Sequence, residues 1–249
     1  MILALVLALA IGFSLALLGS GGSIITLPVL VYAARVPAPQ AVGMSLAVVG
    51  GTTLVASLLN ARRGLVHTKA AVLFSVTGML GAFGGAQLTH LVSPPVLLLL
   101  FAALMIAVAG LMFRGRSELS ALGKPQCHWP SCATTGFVVG GLTGFLGVGG
   151  GFLIVPALLM FGRLPLKLAI GTSLVVITVN CIGGLAGHLR QTPFDWQTTA
   201  IFLALALVGM FAGRNFAARI EAERLRRWFA WFVLAVAAFV IAENWKTLA

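Results

Sequence analysis

Two short runs of glycine and serine interrupt otherwise apolar sequence and could bind an anion. The first is GSGGS at residues 19–23, and the second is GVGGG at residues 147–151. Glycine lets a ligand approach the backbone closely, and the unpaired N–H groups at the start of a helix attract anions. Close packing between helices is the alternative role for these glycines. The predicted substrate-binding residues in the two runs are Ser20, Gly21, Gly22, Ser23, Gly149, Gly150 and Gly151.

Polar side chains that follow the runs could add hydrogen bonds to the same ligand. Ser45 and Ser173 each stand in a G-x-S-L sequence. Asn180 and His188 lie two turns apart on one predicted helix face, and Asn60 takes the place in the first half of the chain that His188 takes in the second. We therefore add these five residues to the predicted binding site, with hydrogen bonding between helices as the alternative for the two asparagines and the histidine.

Each glycine run precedes an apolar segment that is too short to cross a membrane alone. These segments cover residues 24–34 and 152–162, and such a length of helix rises about 16 Å, roughly half of the hydrocarbon core. We expect each to form a half-helix in a hairpin with the apolar segment before it, so that both glycine tips reach towards the midplane. Non-helical backbone is tolerated at that depth where it lines a cavity or is buried in protein.

The composition is that of a polytopic, all-α membrane protein. Hydrophobic residues make up 60% of the 249 positions and charged residues 8%, whereas ordinary soluble domains carry about 25% charged residues. The net charge of +11 would suggest a nucleic-acid partner in a soluble protein, but here the cations lie in short gaps between apolar runs, as topology-setting charges do. We expect a multi-pass protein in contact with membrane lipid and without a nucleic-acid partner.

The chain contains an internal duplication at a constant spacing of 128 positions. Within residues 19–48, twelve of thirty positions are identical to their counterparts, and several of these are glycine or proline. We predict a first transmembrane repeat at residues 1–113, a cytoplasmic linker at 114–132 and a second, inverted transmembrane repeat at 133–249.

The basic residues predict the opposite orientation of the two repeats. If the loop that carries Arg62 and Arg63 is cytoplasmic, thirteen of the sixteen Lys and Arg residues face the cytoplasm, in agreement with the positive-inside rule. Arg35 then faces outward, whereas its counterpart Arg163 faces inward. Inverted-topology repeats of this kind are typical of secondary transporters.

The positions of the acidic residues argue against carboxylate chemistry inside the membrane. Carboxylates that carry protons or cations lie within membrane segments, whereas here all five lie in loops or at the ends of apolar runs. Cys127, His128 and Cys132 fall short of the four ligands that zinc usually takes. We therefore predict no metal, no cofactor and no catalytic residue. The five acidic residues are Glu118, Asp195, Glu221, Glu223 and Glu243.

These features resemble the TauE/SafE family of membrane transporters, also called sulfite exporters. The resemblance rests on two G-x-G-G-(x5)-P-x-L motifs, which begin at Gly19 and Gly147, and on the two G-x-S-L sequences. It covers essentially the whole chain. The resemblance implies a multi-pass protein of the bacterial inner membrane that moves a small sulfur-containing anion, such as sulfite, thiosulfate, an organosulfonate or a sulfinate.

Secondary transport of such an anion by alternating access is the function that we predict. An anion channel is one alternative, because sequence does not separate a gated pore from a carrier. An intramembrane enzyme is another, although its candidate nucleophile Ser20 has Val148 as its counterpart. The anion, the direction of transport, the coupling ion and the oligomeric state stay open at this point.

Overall fold

The described part of the chain is built from α-helices. The computed structural model describes residues 2–18, 21–88, 92, 94–114, 129–146, 151–160, 162, 164–188, 194–217 and 222–248, and within these ranges there is no strand. The predicted all-α class is therefore confirmed. The helices are α1 (Ile2–Leu18), α2 (Gly21–Pro28), α3 (Ala38–Ala61), α4 (Thr68–Leu88), α5 (Pro94–Arg114), α6 (Trp129–Leu146), α7 (Gly151–Met160), α8 (Leu166–His188), α9 (Trp196–Ala217) and α10 (Ala222–Leu248).

Several of these helices suit a lipid bilayer. Within the described ranges, α3, α4, α8 and α9 each contain a stretch long and apolar enough to cross a membrane, and α3 and α8 are the more buried pair. On α4 the side chains of Val72, Val76 and Leu80 follow one another at intervals of four and are each more than half exposed. A broad apolar exterior of this kind marks a membrane or interaction surface. The protein is therefore a multi-pass membrane protein.

Proline divides the segment that contains α2. The helix reaches Pro28, and the chain continues as a π-helical turn over Val29–Ala33. Proline lacks the N–H that the i→i−4 ladder needs, but the counterpart Pro156 lies inside the uninterrupted helix α7, so proline alone does not explain the change. The described structure has one continuous arm here, but its hydrogen-bond pattern changes at the proline.

The arms that contain α2 and α7 end in the same wide turn. The N–H of Val36 donates to the carbonyl of Leu30 at 2.9 Å, and Leu164, its counterpart, donates to Leu158 at 3.2 Å. In the first arm the turn requires φ of +56° at Arg35, a left-handed conformation that costs a residue with a side chain roughly 1–2 kcal/mol. Both arms are thus closed by the same backbone hydrogen bond.

The two halves of the chain are packed into each other. The helix starts recur after 128 positions, since α3, α4 and α5 begin at residues 38, 68 and 94 and α8, α9 and α10 begin at 166, 196 and 222. The most extensive interfaces nevertheless join helices of different halves, namely α4 with α6, α1 with α9, α4 with α8, α3 with α8 and α5 with α10. The halves therefore share one core and do not form separate bodies.

The counterpart helices α3 and α8 cross each other in opposite directions. Gly184 lies against the side chain of Leu46 near one end of the crossing. Near the other end, the hydroxyl of Thr178 donates to that of Thr53 at 3.0 Å. Because the residue numbers rise along one helix as they fall along the other, the two helices are antiparallel.

Helix α4 runs parallel to α8. Gly78 lies against Asn180, and Ala86 lies against Gly187, where a Cβ would be 3.2 Å from the Cβ of Ala86. The residue numbers rise together along both helices. Helix α8 is thus held between an antiparallel α3 and a parallel α4, at the centre of the bundle.

Candidate functional site

The two short helices begin at the glycine runs, as predicted. Gly21 is the first residue of α2 and Gly151 the first of α7, and Ser23 lies in the first turn of α2. Helices α2 and α7 contact each other, so the arms that follow the two runs meet inside the bundle. Ser20, Gly149 and Gly150 lie outside the described residues.

Gly22 packs against the preceding helix of its hairpin. It is buried, and a Cβ added here would lie 2.5 Å from the carbonyl oxygen of Ile11 and 2.7 Å from the Cβ of Leu15. Real Cβ atoms do not approach so closely, so any side chain would push α2 away from α1. Close packing, the alternative role considered for the glycines, explains why residue 22 is a glycine. A role of Gly22 in binding stays a prediction.

Helices α1 and α6 extend beyond the middle of the bundle. Phe13 of α1 lies beside Gly213 of α9, which directly precedes Arg214. Phe145 of α6 lies beside Gly85, one turn before the end of α4. The later turns of α1 and α6 therefore lie beside the later turns of α9 and α4, and the depth of the hairpin tips in the membrane stays a prediction.

Ser45 and Ser173 are buried but do not converge on one point. Each hydroxyl donates to a carbonyl one turn earlier, that of Val42 at 2.9 Å and that of Ile170 at 2.8 Å. Since α3 and α8 are antiparallel, Ser45 lies near one end of their crossing and Ser173 near the other. At about 1.5 Å per residue they are separated by roughly 20 Å along the helix axis. Their role in binding stays a prediction.

Asn180 lies in the middle of the bundle with its side chain unpaired. It is buried, and among the described residues neither Nδ2 nor Oδ1 has a hydrogen-bond partner. The amide lies against Gly78, halfway along α4. The Ser75 hydroxyl, one turn earlier on α4, is also buried and unpaired within the described ranges. Asn180 is among the predicted binding residues, and its role in binding stays a prediction, whereas sequence reasoning did not single out Ser75 and Gly78, whose only signal is a serine three residues before a glycine.

Asn60 and His188 occupy the ends of counterpart helices and lie far from each other. The Asn60 amide donates to the carbonyl of Ala56 at 2.9 Å and is only partly buried. His188 is the last residue of α8, whose direction is opposite to that of α3. The structure therefore places these two predicted residues on opposite sides of the bundle.

The start of α4 is tied to α8 by a polar contact. The backbone N–H of His67 donates to the hydroxyl of Thr172 at 2.9 Å. A Cβ at Gly171 would collide with the carbonyl oxygen of Leu65. The first turns of α8 are therefore fixed to the loop that precedes α4.

A surface cleft lies nearby, between the starts of α4 and α6. It has a volume of about 430 Å³ and is lined by Thr68, Lys69, Val72, Leu73 and Trp129. None of the predicted binding residues lines it. Among the described residues there is also no group of three His, Cys, Asp or Glu side chains that could hold a metal ion.

Known proteins resemble the chain over nearly its full length. Residues 4–240 match the family model described as "Sulfite exporter TauE/SafE". A "Probable membrane transporter protein" of Xylella fastidiosa (strain 9a5c) is 37% identical over 244 residues, covering 96% of this chain and 94% of the relative. The "Probable membrane transporter protein YunE" of Bacillus subtilis (strain 168) is 28% identical over 245 residues, with 88% of each chain covered. No solved structure matches the chain. The protein is therefore a membrane transporter that belongs to the TauE/SafE family.

Proposed function

We propose that this protein is a secondary transporter that moves a small sulfur-containing anion across the bacterial inner membrane by alternating access. The anion would be sulfite, thiosulfate, an organosulfonate or a sulfinate. Two inverted repeats, residues 1–113 and 133–249, would move relative to each other, and the segment 114–132 would join them in the cytoplasm. Transporters built from inverted repeats commonly work in this way.

The observation that carries the proposal is that helices of the two halves pack against each other at counterpart glycines. A Cβ at Gly12 would collide with the carbonyl of Ala206, and a Cβ at its counterpart Gly140 would collide with that of Gly78, the counterpart of Ala206. The counterpart helices α3 and α8 are antiparallel. Two similar units in opposite orientations can exchange conformations, so that the path of the transported anion opens to one side of the membrane and then to the other.

The preference for an anion is supported by charge. Helices α2 and α7 start at glycine-rich sequence, and their first N–H groups carry partial positive charge. Asp195, the one acidic side chain whose burial is described, is exposed. The sulfur-containing class rests on the description of the matching family and on the resemblance of the two glycine motifs.

Flux measurements with purified protein in liposomes test the proposal. We expect saturable uptake of [35S]sulfite or [35S]thiosulfate that is accelerated by unlabelled anion on the opposite side, since a carrier exchanges its substrate. Ser23→Asp and Gly151→Asp should weaken uptake by placing a negative charge at a helix start. Flux that neither saturates nor shows exchange would indicate a channel, and the absence of flux for all sulfur anions would reject the proposed substrate class.

A further inference from the structure

Two unpaired polar side chains lie in the seam between α4 and α8. Asn180 and Ser75 are at most 7% exposed, and the amide and the hydroxyl have no hydrogen-bond partner among the described residues. The Asn180 result does not depend on which way the amide is turned, because both its oxygen and its nitrogen are unpaired. Native proteins pair most buried polar groups, since an unpaired one costs about 1–3 kcal/mol. Two such groups in one seam indicate a hydrogen-bonding role whose partner is absent while the seam is closed.

The two residues lie on the faces of α4 and α8 that contact each other. The Oδ1 and Nδ2 atoms of Asn180 lie 2.7 and 2.9 Å from the position that a Cβ of Gly78 would take. Ser75 precedes Gly78 by three residues and Met79 by four, and Met79 also contacts α8, at Gly183. Residues at these spacings share a helix face, with about 5–6 Å between Cβ positions. Ser75 and Asn180 are therefore about one helical turn apart, at the middle of the bundle.

The other copy of this seam lacks the polar pair. The counterparts of Ser75 and Gly78 are Leu203 and Ala206, and the counterpart of Asn180 is Thr52. The Thr52 hydroxyl donates to the carbonyl of Val48 at 2.6 Å within its own helix. Among the residues whose burial is described, the seam between α3 and α9 thus contains no buried side chain without a hydrogen-bond partner. The pair in the α4–α8 seam is not a requirement of the fold.

We propose that Asn180 and Ser75 together bind an oxygen atom of the transported anion when α4 and α8 separate. The amide NH2 and the hydroxyl O–H are hydrogen-bond donors that suit an oxyanion. Because both groups are neutral, they would bind the anion weakly enough to release it. Closure of the seam presses the amide against Gly78 and removes its hydrogen bonds, whereas a bound anion restores them. The anion therefore favours the open seam, because it pairs with these groups only there. This inference rests on the proposed function.

Three variants in the liposome assay test the inference, namely Asn180→Leu, Ser75→Ala and, as the matched control in the other copy, Thr52→Val. For [35S]sulfite or [35S]thiosulfate uptake we expect Asn180→Leu to raise KM by about tenfold or more and Ser75→Ala to raise it by less, as the loss of charge-assisted hydrogen bonds predicts. Thr52→Val should leave KM unchanged. Asn180→Leu should also keep or raise the Tm of the purified protein, since it replaces unpaired polar atoms by an apolar group of similar size.

Each other outcome has a definite meaning. If Asn180→Leu leaves KM at the wild-type value, whatever its effect on Tm, Asn180 does not bind the anion and the inference is wrong while the transport function stands. If Thr52→Val raises KM as much as Asn180→Leu does, binding is not confined to one seam and the inference is again wrong. If the wild-type protein transports none of the sulfur anions, the proposed function fails, and this inference fails with it.

Discussion

At the scale of single residues, His67 and Asp195 occupy counterpart positions and cap the helices that follow them. The Ala70 N–H donates to His67 Nδ1 at 3.2 Å, and the Thr198 N–H donates to Asp195 Oδ1 at 3.1 Å. Both side chains thus satisfy one of the N–H groups that a helix start leaves unpaired. The hydroxyl and the N–H of Thr198 both donate to Asp195 and hold the pKa of its carboxyl below the ordinary value.

Asp195→Ala is expected to lower Tm near neutral pH and to have a smaller effect in acid. The folded-state pKa is depressed, so the stabilising contribution is present above the ordinary pKa of about 3.9 and is lost as the pH falls through the folded-state value. Thermal unfolding in detergent between about pH 7 and about pH 2 measures this difference. Asp195→Asn, which keeps a capping oxygen without the charge, is the control. An equal loss of Tm for Asp195→Ala across this range would contradict the prediction.

At the scale of helices, glycines spaced by four let two helix pairs pack backbone to backbone. Such spacing is a recurrent contact motif between membrane helices, because small residues permit close approach. The contacts of α4 with α6 recur between α9 and α1 at counterpart positions. They join Gly81 with Phe137 and Gly85 with Gly141, then Gly209 with Leu9 and Gly213 with Phe13.

Gly85→Leu and Gly84→Leu form a matched pair that tests this packing. A Cβ at Gly85 would collide with the carbonyl of Gly141, whereas one at Gly84 has nothing within 4 Å. We expect Gly85→Leu to destabilise the protein by about 1–3 kcal/mol or more. Gly84→Leu should be neutral or stabilising, because glycine costs a helix about 0.5–1 kcal/mol. Tm and the monodisperse fraction in detergent report the difference, and equal values for both variants would refute the packing account.

At the scale of the whole molecule, the two copies are packed unequally. Helix α4 contacts α8 more extensively than its counterpart α9 contacts α3. If transport proceeds by alternating access, a second conformation would exchange these interfaces, so that α9 closes on α3 while α4 leaves α8. The α4–α8 seam would then be the part that opens, which agrees with the unpaired polar groups inside it.

A disulfide across the seam should therefore stop transport. In a background without the native cysteines, we expect Ala86→Cys/Gly187→Cys to oxidise readily, since the two Cβ positions are 3.2 Å apart, close to disulfide geometry. Uptake into liposomes should then fall by about tenfold or more and return on reduction, whereas the single variant Ala86→Cys should respond to neither treatment. The counterpart pair Leu59→Cys/Arg214→Cys should oxidise more slowly. Full transport by the oxidised pair would mean that the seam does not open.

Much of the fold could be predicted because it depends on features that act locally along the chain. Apolar length marks the membrane helices, and the glycine runs mark the starts of α2 and α7. The positions of the candidate binding residues in space were harder to predict. Ser45 and Ser173 lie at different levels of the bundle, and sequence could not say whether they share one level, since the direction in which α3 crosses α8 is a tertiary property. Gly22 packs against α1, the alternative role considered for the glycines, and its role in binding stays a prediction.

The sequence by itself determined the membrane class, the helical segments, the duplication and the family, because hydrophobicity, helix-breaking residues and repeated spacing are all properties of the linear chain. Only the tertiary structure decided which polar residues are left unpaired. Asn180 and Ser75 stand on helices from different halves, and their location in one seam depends on the crossing of α8 with α4 at Gly78. A hydrogen bond requires its donor and acceptor atoms to lie within a few ångströms of each other. The spacing of residues along a chain does not specify that distance.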